Sequence, residues 1–546
     1  MQLYFSLLCL FISSLLVAGT SQDLSGSSSV APATFQPQMD TNRNLWITWQ
    51  DQKTLTWFTV VCNAGKWSAP LTLSSGNKPP SLFMTSSDGS ALASWQSEGI
   101  LYASLWNGSA WSSQSFGSIS STWNMGLISI SKGMIAWQDS SQNVNVSIWD
   151  GKNWNSFPSF GKASNWNLIF SSAGNALLTW QNQTLLSSLW NGSFWTPAQS
   201  FAGAAMSNWN TALAPTGEAI VAWQDRQNNF WASIWNGTIW SLTENFGTAA
   251  ANAWNISLAS NAIALAGWQD PDNNLYLSVW TGTSWNTSSY LGKAAFNQWY
   301  AALSPTGNIA AAWLDPNDSL CASVWNTREW STPGSFNHAA YVWGVTLTSS
   351  NAAALIWQDS SAHVYTASWD GSTWNSQTMG SAASPNVTLN FSSTGYAFAC
   401  WESPSHAQYG SIWSGNSWSN PQLFSTPIYW DQGITSDGNA FVLWQDSKAR
   451  LSSMIWNGTS WSSAHSFGIG YAFDSAIASN GTAVVSWQDQ NENIFASLWD
   501  GKGWTKTQTY GPAMGYNKLN LPIPSQESST PAWVDNSNQI IASTAD

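Results

Sequence analysis

Short runs in which large apolar residues alternate with small polar ones cover the chain, and none has helical spacing. In residues 123–166 the runs are 123–130, 134–138, 144–149 and 152–160. Polar or glycine-containing turns separate them, including the pair Asp150-Gly151. Alternation with a period of two between tight turns is typical of antiparallel strands. The pattern therefore predicts a meander of four short strands.

This four-strand pattern repeats, and a tryptophan closes the second run of each unit. Each of these tryptophans opens some version of the string Trp-Gln-Asp, and the gaps between them run from 42 to 46 residues. They are Trp49, Trp95, Trp137, Trp180, Trp223, Trp268, Trp313, Trp357, Trp401, Trp444, Trp487 and Trp533. Four antiparallel strands per repeat of this length are the blade of a β-propeller. The sequence predicts an all-β fold, a β-propeller with twelve four-stranded blades of about 44 residues.

Twelve blades exceed the usual number in one ring. We expect two six-bladed rings, the first spanning residues 21–282 and the second residues 283–546. The final unit ends at a third strand, residues 540–546, and residues 21–30 lie where a preceding fourth strand would be. A displaced strand that closes a ring would use both facts. A single twelve-bladed ring and a seven-plus-five division remain open, because no linker interrupts the period.

The remaining tryptophans also recur at fixed positions. Fourteen residues before the Trp-Gln-Asp tryptophan stands a first-strand tryptophan in seven units, namely Trp123, Trp166, Trp209, Trp254, Trp299, Trp343 and Trp430. Two more flank the last turn of a unit, as Trp149 and Trp154 do. A two-residue turn at Asp150-Gly151 would place Ser147 opposite Trp154. Strict periodicity of large rings is what packing between blades requires, so we predict that most of them are core.

The charge of the chain limits its partners. Charged residues make up 8% of the sequence and the net charge is −13, against about 25% charged residues in an average protein. Nucleic acid and anionic membranes require basic patches, so we expect neither as a partner. A polar surface built from Ser, Asn, Thr and Gln suits neutral polymers such as glycans.

The first twenty residues have the pattern of a secretory signal peptide. An uncharged apolar run extends from Phe5 to Leu16, and small residues follow at Ala18 and Gly19. We therefore expect a signal peptide at residues 1–20, a secreted or cell-surface location, and no transmembrane segment after cleavage.

The turn motif Trp499-Asp500-Gly501-Lys502-Gly503-Trp504 resembles the hairpin of the six-bladed fucose-binding lectins of fungi and bacteria, and two further units share it. The resemblance implies a propeller fold. That family holds its sugar with an Arg and with a Glu three residues before the first tryptophan. None of the residues at the latter position is Glu; they are Ala103, Val146, Ser187, Ala232, Leu277, Ala322, Thr366, Gly410, Ser453 and Ala496.

Alternate turns of a meander lie at the same end of a blade, so the first-strand tryptophans, the residues after them and the Trp-Gln-Asp turns should share one face. Aromatic rings beside amides and carboxylates suit a sugar. The candidate ligand-binding residues are Trp123, Trp166, Trp209, Trp254, Trp299, Asn124, Asn167, Asn210, Asp139, Asp225 and Asp270. The competing interpretation is that each Asp caps its own turn.

The sequence contains no set of residues typical of catalysis or metal binding. Its four histidines lie in different units, and we expect no catalytic residue, metal or cofactor. We predict a non-catalytic binding protein with lectin-like recognition of glycans. The alternative is a protein-interaction or structural module with an extracellular protein as partner.

Overall fold

A computed structural model describes residues 90–512 apart from short gaps at 108–109, 130–131, 260–261, 305, 327, 339–342, 349, 351, 384–386, 393, 478–482, 492 and 500. Outside this stretch it describes only the strands and a few adjoining residues between 21 and 75, at 82–85, and between 532 and 543. The signal peptide predicted at residues 1–20 lies outside the described residues. Within them the chain forms strands and turns and no helix, so the all-β prediction is confirmed.

Contacts divide the chain into two compact units. One unit is the continuous segment Lys162–Thr426, and the other combines Met1–Gly161 with Pro427–Asp546. The ring border that we predict at residues 282 and 283 does not coincide with either unit border. It falls between the third and fourth strands of one sheet, and it stays a prediction.

The described residues of the N-terminal part of the divided unit form thirteen strands. They are β1 (Ser21–Asp23), β2 (Gln36–Met39), β3 (Leu45–Gln50), β4 (Thr56–Asn63), β5 (Lys66–Trp67), β6 (Leu71–Ser75), β7 (Leu82–Thr85), β8 (Ala91–Ser97), β9 (Ile100–Trp106), β10 (Trp111–Ser129), β11 (Lys132–Asp139), β12 (Val144–Trp149) and β13 (Trp154–Ser156). Strands β2 to β6 form one sheet, and β7 to β13 form a seven-stranded sheet. The long β10 serves as the fourth strand of one repeat and the first strand of the next.

The continuous unit contains six antiparallel four-stranded sheets in chain order. Their strands are β14 (Asn165–Phe170), β15 (Ala176–Gln181), β16 (Leu185–Trp190), β17 (Gln199–Phe201), β18 (Ala204–Leu213), β19 (Ala219–Asp225), β20 (Asn229–Trp235), β21 (Glu244–Thr248), β22 (Trp254–Leu258), β23 (Ala264–Gln269), β24 (Asn274–Trp280), β25 (Ser289–Lys293), β26 (Trp299–Leu303), β27 (Ile309–Leu314), β28 (Ser319–Trp325), β29 (Gly334–His338), β30 (Trp343–Leu347), β31 (Ala353–Gln358), β32 (His363–Trp369), β33 (Trp374–Ser381), β34 (Val387–Phe391), β35 (Ala397–Glu402), β36 (Gln408–Trp413) and β37 (Gln422–Ser425). Each sheet is a simple meander, as the sequence predicts.

The C-terminal part of the divided unit adds two more four-stranded sheets and a three-stranded one. The strands are β38 (Tyr429–Ile434), β39 (Ala440–Gln445), β40 (Arg450–Trp456), β41 (His465–Ile469), β42 (Ala472–Ile477), β43 (Ala483–Gln488), β44 (Asn493–Trp499), β45 (Gln508–Pro512), β46 (Ala532–Val534) and β47 (Ile540–Ser543). The three-stranded sheet has the order β1-β47-β46, so the first of the described strands lies beside the last of them.

Cross-strand pairing explains the spacing of fourteen residues between two of the recurring tryptophans. Trp209 on β18 is the direct partner of Trp223 on β19, and Trp254 pairs in the same way with Trp268. Antiparallel register thus places a first-strand tryptophan directly beside the Trp-Gln-Asp tryptophan. Such cross-strand pairs of side chains are the interactions that stabilise a sheet.

The apolar cores lie between successive sheets. In the continuous unit, Ile220 and Phe230 of one sheet pack with Ile256 and Trp268 of the next in a single buried cluster. Four similar clusters join the other successive pairs among the six sheets. The sheets are buried on both faces, and for this reason the sequences of the second strands are nearly continuous runs of apolar residues.

The last hairpin of each repeat differs from the sequence prediction. Trp149 pairs directly with Trp154, and Ser147 pairs with Ser156. The loop therefore has four residues. The Asp150 side chain stabilises this loop by accepting hydrogen bonds from the backbone N–H groups of Lys152 (2.8 Å) and Asn153 (2.8 Å). The two-residue turn was the wrong interpretation, since this side-chain cap stabilises the longer loop.

Candidate functional site

The predicted site aspartates cap their own turns. Asp225 Oδ1 accepts the backbone N–H groups of Gln227 and Asn229, each at 2.8 Å, and its Oδ2 accepts Asn229 Nδ2 and Trp231 Nε1, each at 2.9 Å. Asp139 and Asp270 accept equivalent bonds from the second and fourth residues after them. Burial acts to raise the pKa of Asp225, but the bonds from Asn229 and Trp231 outweigh it and hold the pKa below its usual value. These carboxylates have most of their hydrogen-bonding capacity in use.

The glutamine of the Trp-Gln-Asp motif holds the connection to the next sheet. Gln269 is fully buried; its Nε2 donates to the backbone oxygen of Ala294 at 3.0 Å, and its Oε1 accepts the backbone N–H of Asn297 at 2.7 Å. Gln224 bonds in the same way to the oxygen of Ala249 at 2.8 Å. Each residue of the motif therefore has a structural role. The tryptophan packs in the core, the glutamine bonds to the backbone that leads into the next sheet, and the aspartate caps its own turn.

The first-strand tryptophans are packed at one edge and half-buried. Trp123 Nε1 donates to Ser94 Oγ at 2.8 Å, and the indole N–H groups of Trp209 and Trp254 are buried. Trp299 lies against Gly267, where a Cβ atom would come within 2.8 Å of its ring. Trp166, Trp209, Trp254 and Trp299 are each on the first strand of a successive sheet in the continuous unit.

Polar side chains follow these tryptophans at the next position. Asn167, Asn210 and Asn255 are exposed on β14, β18 and β22, and Tyr300 occupies the same position on β26. The first strands of neighbouring sheets contact each other, β14 with β18 and β18 with β22. Asn210 Oδ1 accepts the N–H of Thr211 at 2.8 Å, so its amide hydrogens are the donors offered to a ligand. We name Asn167, Asn210, Asn255 and Tyr300 the first-strand row. Of the predicted site residues, Asn124, Trp123 and Asp139 lie in the other unit.

The first strands β26, β30 and β34 surround a cavity of about 470 Å³. Four aromatic side chains line it: Trp299, Tyr300, Trp343 and Phe391. Tyr300 is 52% exposed and Phe391 is 43% exposed, so about half of each of these two side chains is open to solvent. We name this space the first-strand pocket. Only Trp299 among the predicted site residues lines it.

Among the described residues that line the pocket, several carry hydroxyl groups and none is charged. Its polar side chains are Ser304, Thr346 and Ser392. Thr346 Oγ1 donates to the oxygen of Gly395 at 3.2 Å, and Ser392 Oγ accepts the N–H of Tyr396 at 2.9 Å. A concave, mostly apolar surface with a few polar groups is the usual form of a small-ligand site. The absence of charged side chains from its lining favours an uncharged ligand.

In the divided unit, Asp431 on β38 occupies the position that follows the first-strand tryptophan, and its side chain is half-buried. Burial raises the pKa of Asp431, and the hydrogen bonds from Ser475 Oγ (2.6 Å) and from the N–H of Gln432 (2.8 Å) act in the opposite direction. A carboxyl group whose pKa is raised on folding costs stability at neutral pH, where it must ionise.

We therefore expect Asp431→Asn to raise the melting temperature at pH 7. Asparagine keeps both contacts without a charge, because its Oδ1 can accept the N–H of Gln432 while its Nδ2 donates to Ser475 Oγ. Asparagine also stands at this position in four other repeats. The advantage should shrink as the pH falls through the raised pKa of the folded state and should vanish below 3.8, the usual pKa of aspartate, because the carboxyl group is then protonated in the folded and the unfolded state alike. Thermal unfolding of both proteins between pH 4 and 8 measures this, and a constant difference would contradict a costly ionised Asp431.

Two recurring aromatic positions were missed by the sequence reasoning. A phenylalanine on the fourth strand lies between two tryptophans of the next sheet: Phe201 is 5.1 Å from both Trp223 and Trp240 between ring centroids. A ring on the third strand stacks on the Trp-Gln-Asp tryptophan, as Tyr276 does on Trp268 at 5.5 Å and 18°. The signal was present in the recurring phenylalanine, but only cross-sheet geometry reveals its partners.

A metal site would need a cluster of ligand side chains, and a membrane-spanning helix would need a long apolar segment. Within the part of the chain that the structure describes, no three His, Cys, Asp or Glu residues come together in a way that could hold a metal ion. The same part has no helix of the length and apolar character needed to cross a bilayer.

Comparisons with known proteins give only distant likenesses. No family model matches the chain, and no curated protein matches it. A fucose-specific lectin from Aleuria aurantia is similar at 19% identity, covering 47% of this chain and 93% of the lectin with a TM-score of 0.26. AofleA from Arthrobotrys oligospora is similar at 14% identity, over 48% and 87%, with a TM-score of 0.25. A eukaryotic initiation factor is similar at 11% identity, over 70% and 97%, with a TM-score of 0.38. At such low values we draw no conclusion about fold or function from these likenesses.

Proposed function

We propose that the protein is a non-catalytic, lectin-like binding protein that takes neutral glycans in the first-strand pocket. The observation that carries this proposal is the set of four aromatic rings around an uncharged cavity of about 470 Å³. The apolar C–H face of a pyranose can stack on Tyr300 or Phe391, while one of its hydroxyls bonds to Ser392, which is not buried as Ser304 and Thr346 are.

The first-strand row extends this surface along the same unit. Asn210 and its equivalents offer amide donors beside the half-buried tryptophans, which suits the next sugar of a chain. Weak sites that repeat along a polymer add up to useful avidity without any new contact. We therefore propose oligosaccharides or polysaccharides as ligands, in a secreted or cell-surface setting, which the apolar run at Phe5–Leu16 favours.

We also propose that the sheets of each compact unit are blades of a six-bladed propeller. The support is that each unit contains six repeats and that six sheets of the continuous unit pack in succession. Rings bordered at residues 161 and 427 are one arrangement, and rings bordered at residue 282 are the other. An experimental structure decides between them, and between these and a single ring.

The ligand proposal is tested by removing one exposed ring. Tyr300→Ala should lower the affinity for neutral disaccharides by about tenfold or more, since losing roughly 1.4 kcal/mol of stacking has that effect. The measurement is titration calorimetry with maltose, cellobiose, lactose and N,N′-diacetylchitobiose, with sialyllactose as the anionic comparison.

The matched control is Tyr471→Ala, which removes a tyrosine that is 46% exposed in the other unit. It should leave binding unchanged. No binding of any neutral sugar to the natural protein would count against the proposal, as would an unaltered affinity in Tyr300→Ala.

A protein partner is the second candidate function. Three apolar side chains are strongly exposed near the last hairpins of two successive sheets: Phe194 at 58%, Ile239 at 63% and Leu242 at 93%. Exposed apolar side chains of this kind are found at protein interaction sites. A partner that is captured by the natural chain, released by Leu242→Ser and insensitive to competing sugars would favour this function.

A further inference from the structure

Two tyrosines, one half-buried and one exposed, lie side by side at the β25 edge of one sheet in the continuous unit. Tyr276 on β24 stacks on the buried Trp268, and its direct cross-strand partner is Tyr290 on the edge strand β25. The centroids of the two tyrosine rings are 5.6 Å apart, at 50°. Tyr290 is 57% exposed. We name Tyr276 and Tyr290 the tyrosine platform.

Core packing does not account for Tyr290. The residues that pair with the equivalent third-strand position in other sheets of this unit are not aromatic: Asn245 on β21, Ser335 on β29, Thr378 on β33 and Leu423 on β37. Sheets of the same design are therefore complete without an aromatic ring there. More than half of the Tyr290 surface faces solvent, so the ring contributes a surface that the fold itself does not need.

Polar groups of both charges surround the platform. Asp272 is exposed in the preceding turn, whereas Asp270 is engaged by the backbone N–H groups of Asp272 and Asn274. Lys293 is exposed and pairs with Asn274, two positions before Tyr276 on the same face of the sheet. Burial raises the pKa of Tyr276, and the charges of Asp270 and Asp272 add to the rise, so both carboxylates act on this ring.

We propose that the tyrosine platform is a second saccharide site, separate from the first-strand pocket and selective for neutral pyranoses. The inference takes its ligand class from the proposed function. The sugar ring stacks on Tyr290, the Asp272 carboxylate accepts from its hydroxyls, and the Lys293 ammonium donates to them. The exposed carboxylate of Asp272 and the exposed ammonium of Lys293 balance each other, so the platform has no net charge that would select an anionic or a cationic sugar.

The test uses photoreactive diazirine derivatives of cellobiose, lactose and N,N′-diacetylchitobiose on the full chain. Trypsin cuts after Arg226, Lys293 and Arg328 and separates the two sites, because Tyr276 and Tyr290 lie in peptide 227–293 and Tyr300 lies in peptide 294–328. Tandem mass spectrometry then locates the label within each peptide. We expect label between residues 270 and 293 that an excess of the free disaccharide removes.

Three variants make the result specific. Tyr290→Ala should lower this label by about tenfold or more, while Tyr290→Phe and Tyr471→Ala should retain it. The label on peptide 294–328 should be unchanged in all three and lost in Tyr300→Ala.

The outcomes separate this inference from the proposed function. Label confined to residues 294–328 and 329–448 overturns the tyrosine platform and leaves the first-strand pocket in place. Label confined to residues 270–293 supports the platform and overturns the pocket. Label that is absent, or that free disaccharide does not remove, overturns both.

Discussion

Replacing Trp223 with alanine is expected to lower the free energy of unfolding by about 3–5 kcal/mol. The side chain is 1% exposed and lies in the cluster between the first and second sheets of the continuous unit. Phe201 contacts one side of its ring at 5.1 Å, and Trp231 stacks on it at 6.4 Å and 7°. Alanine leaves a cavity that neither rigid sheet can fill. Urea unfolding, monitored by circular dichroism, measures the change.

Phe194→Ala is the matched control for this prediction. It removes an aromatic ring from the sheet β14–β17, which shares the same cluster, but this ring is 58% exposed. It should change stability by less than about 0.5 kcal/mol. If Trp223→Ala were equally harmless, the tryptophans would not hold the sheets together.

The second large effect is expected for Gly395→Ala, with a loss of about 2–5 kcal/mol. Gly395 has a φ of +96°, which strains any residue with a Cβ atom, and an added Cβ would lie 2.3 Å from the backbone oxygen of Leu347. Backbone cannot move aside as a flexible side chain can. The turn also borders the first-strand pocket, so sugar binding should weaken together with stability. Chemical unfolding and calorimetry measure the two effects.

Gly192→Ala is the control that separates the strain of a positive φ from the steric clash of the added Cβ atom. Gly192 lies in the same unit with a φ of +92°, and an added Cβ would meet nothing within 4 Å. The free energy of unfolding of this variant should fall only by the cost of the backbone strain, about 1–2 kcal/mol. Equal losses in the two variants would show that the contact of Gly395 with β30 contributes nothing.

The sequence predicts local structure well because the features that define the repeat are local in the chain. Alternation, turn residues and the tryptophan period together give the four-stranded meander, and the fourteen-residue spacing corresponds to a cross-strand pair such as Trp209 and Trp223. The interpretation of the aspartates as turn caps was also available from sequence, since an Asp before a short polar loop commonly binds that loop.

The remaining features depend on contacts that no local pattern specifies. The register of the last hairpin follows from side-chain caps such as that of Asp150, which lengthen the loop from two residues to four. The position of Phe201 between two tryptophans depends on how one sheet faces the next. The first-strand pocket gathers residues from three repeats, so only Trp299 of the predicted site could be anticipated.

The pairing of β1 with β47 has a consequence for biosynthesis. These strands are joined by about 520 residues of chain, and closing so long a loop costs on the order of 5 kcal/mol more than closing a short one. The six sheets of residues 162–426 can form during translation, but the β1-β47-β46 sheet cannot form until β47 has been synthesised. Until then β1 has no partner strand from the far end, and its unmet edge is where chaperone binding or mispairing between nascent chains is expected.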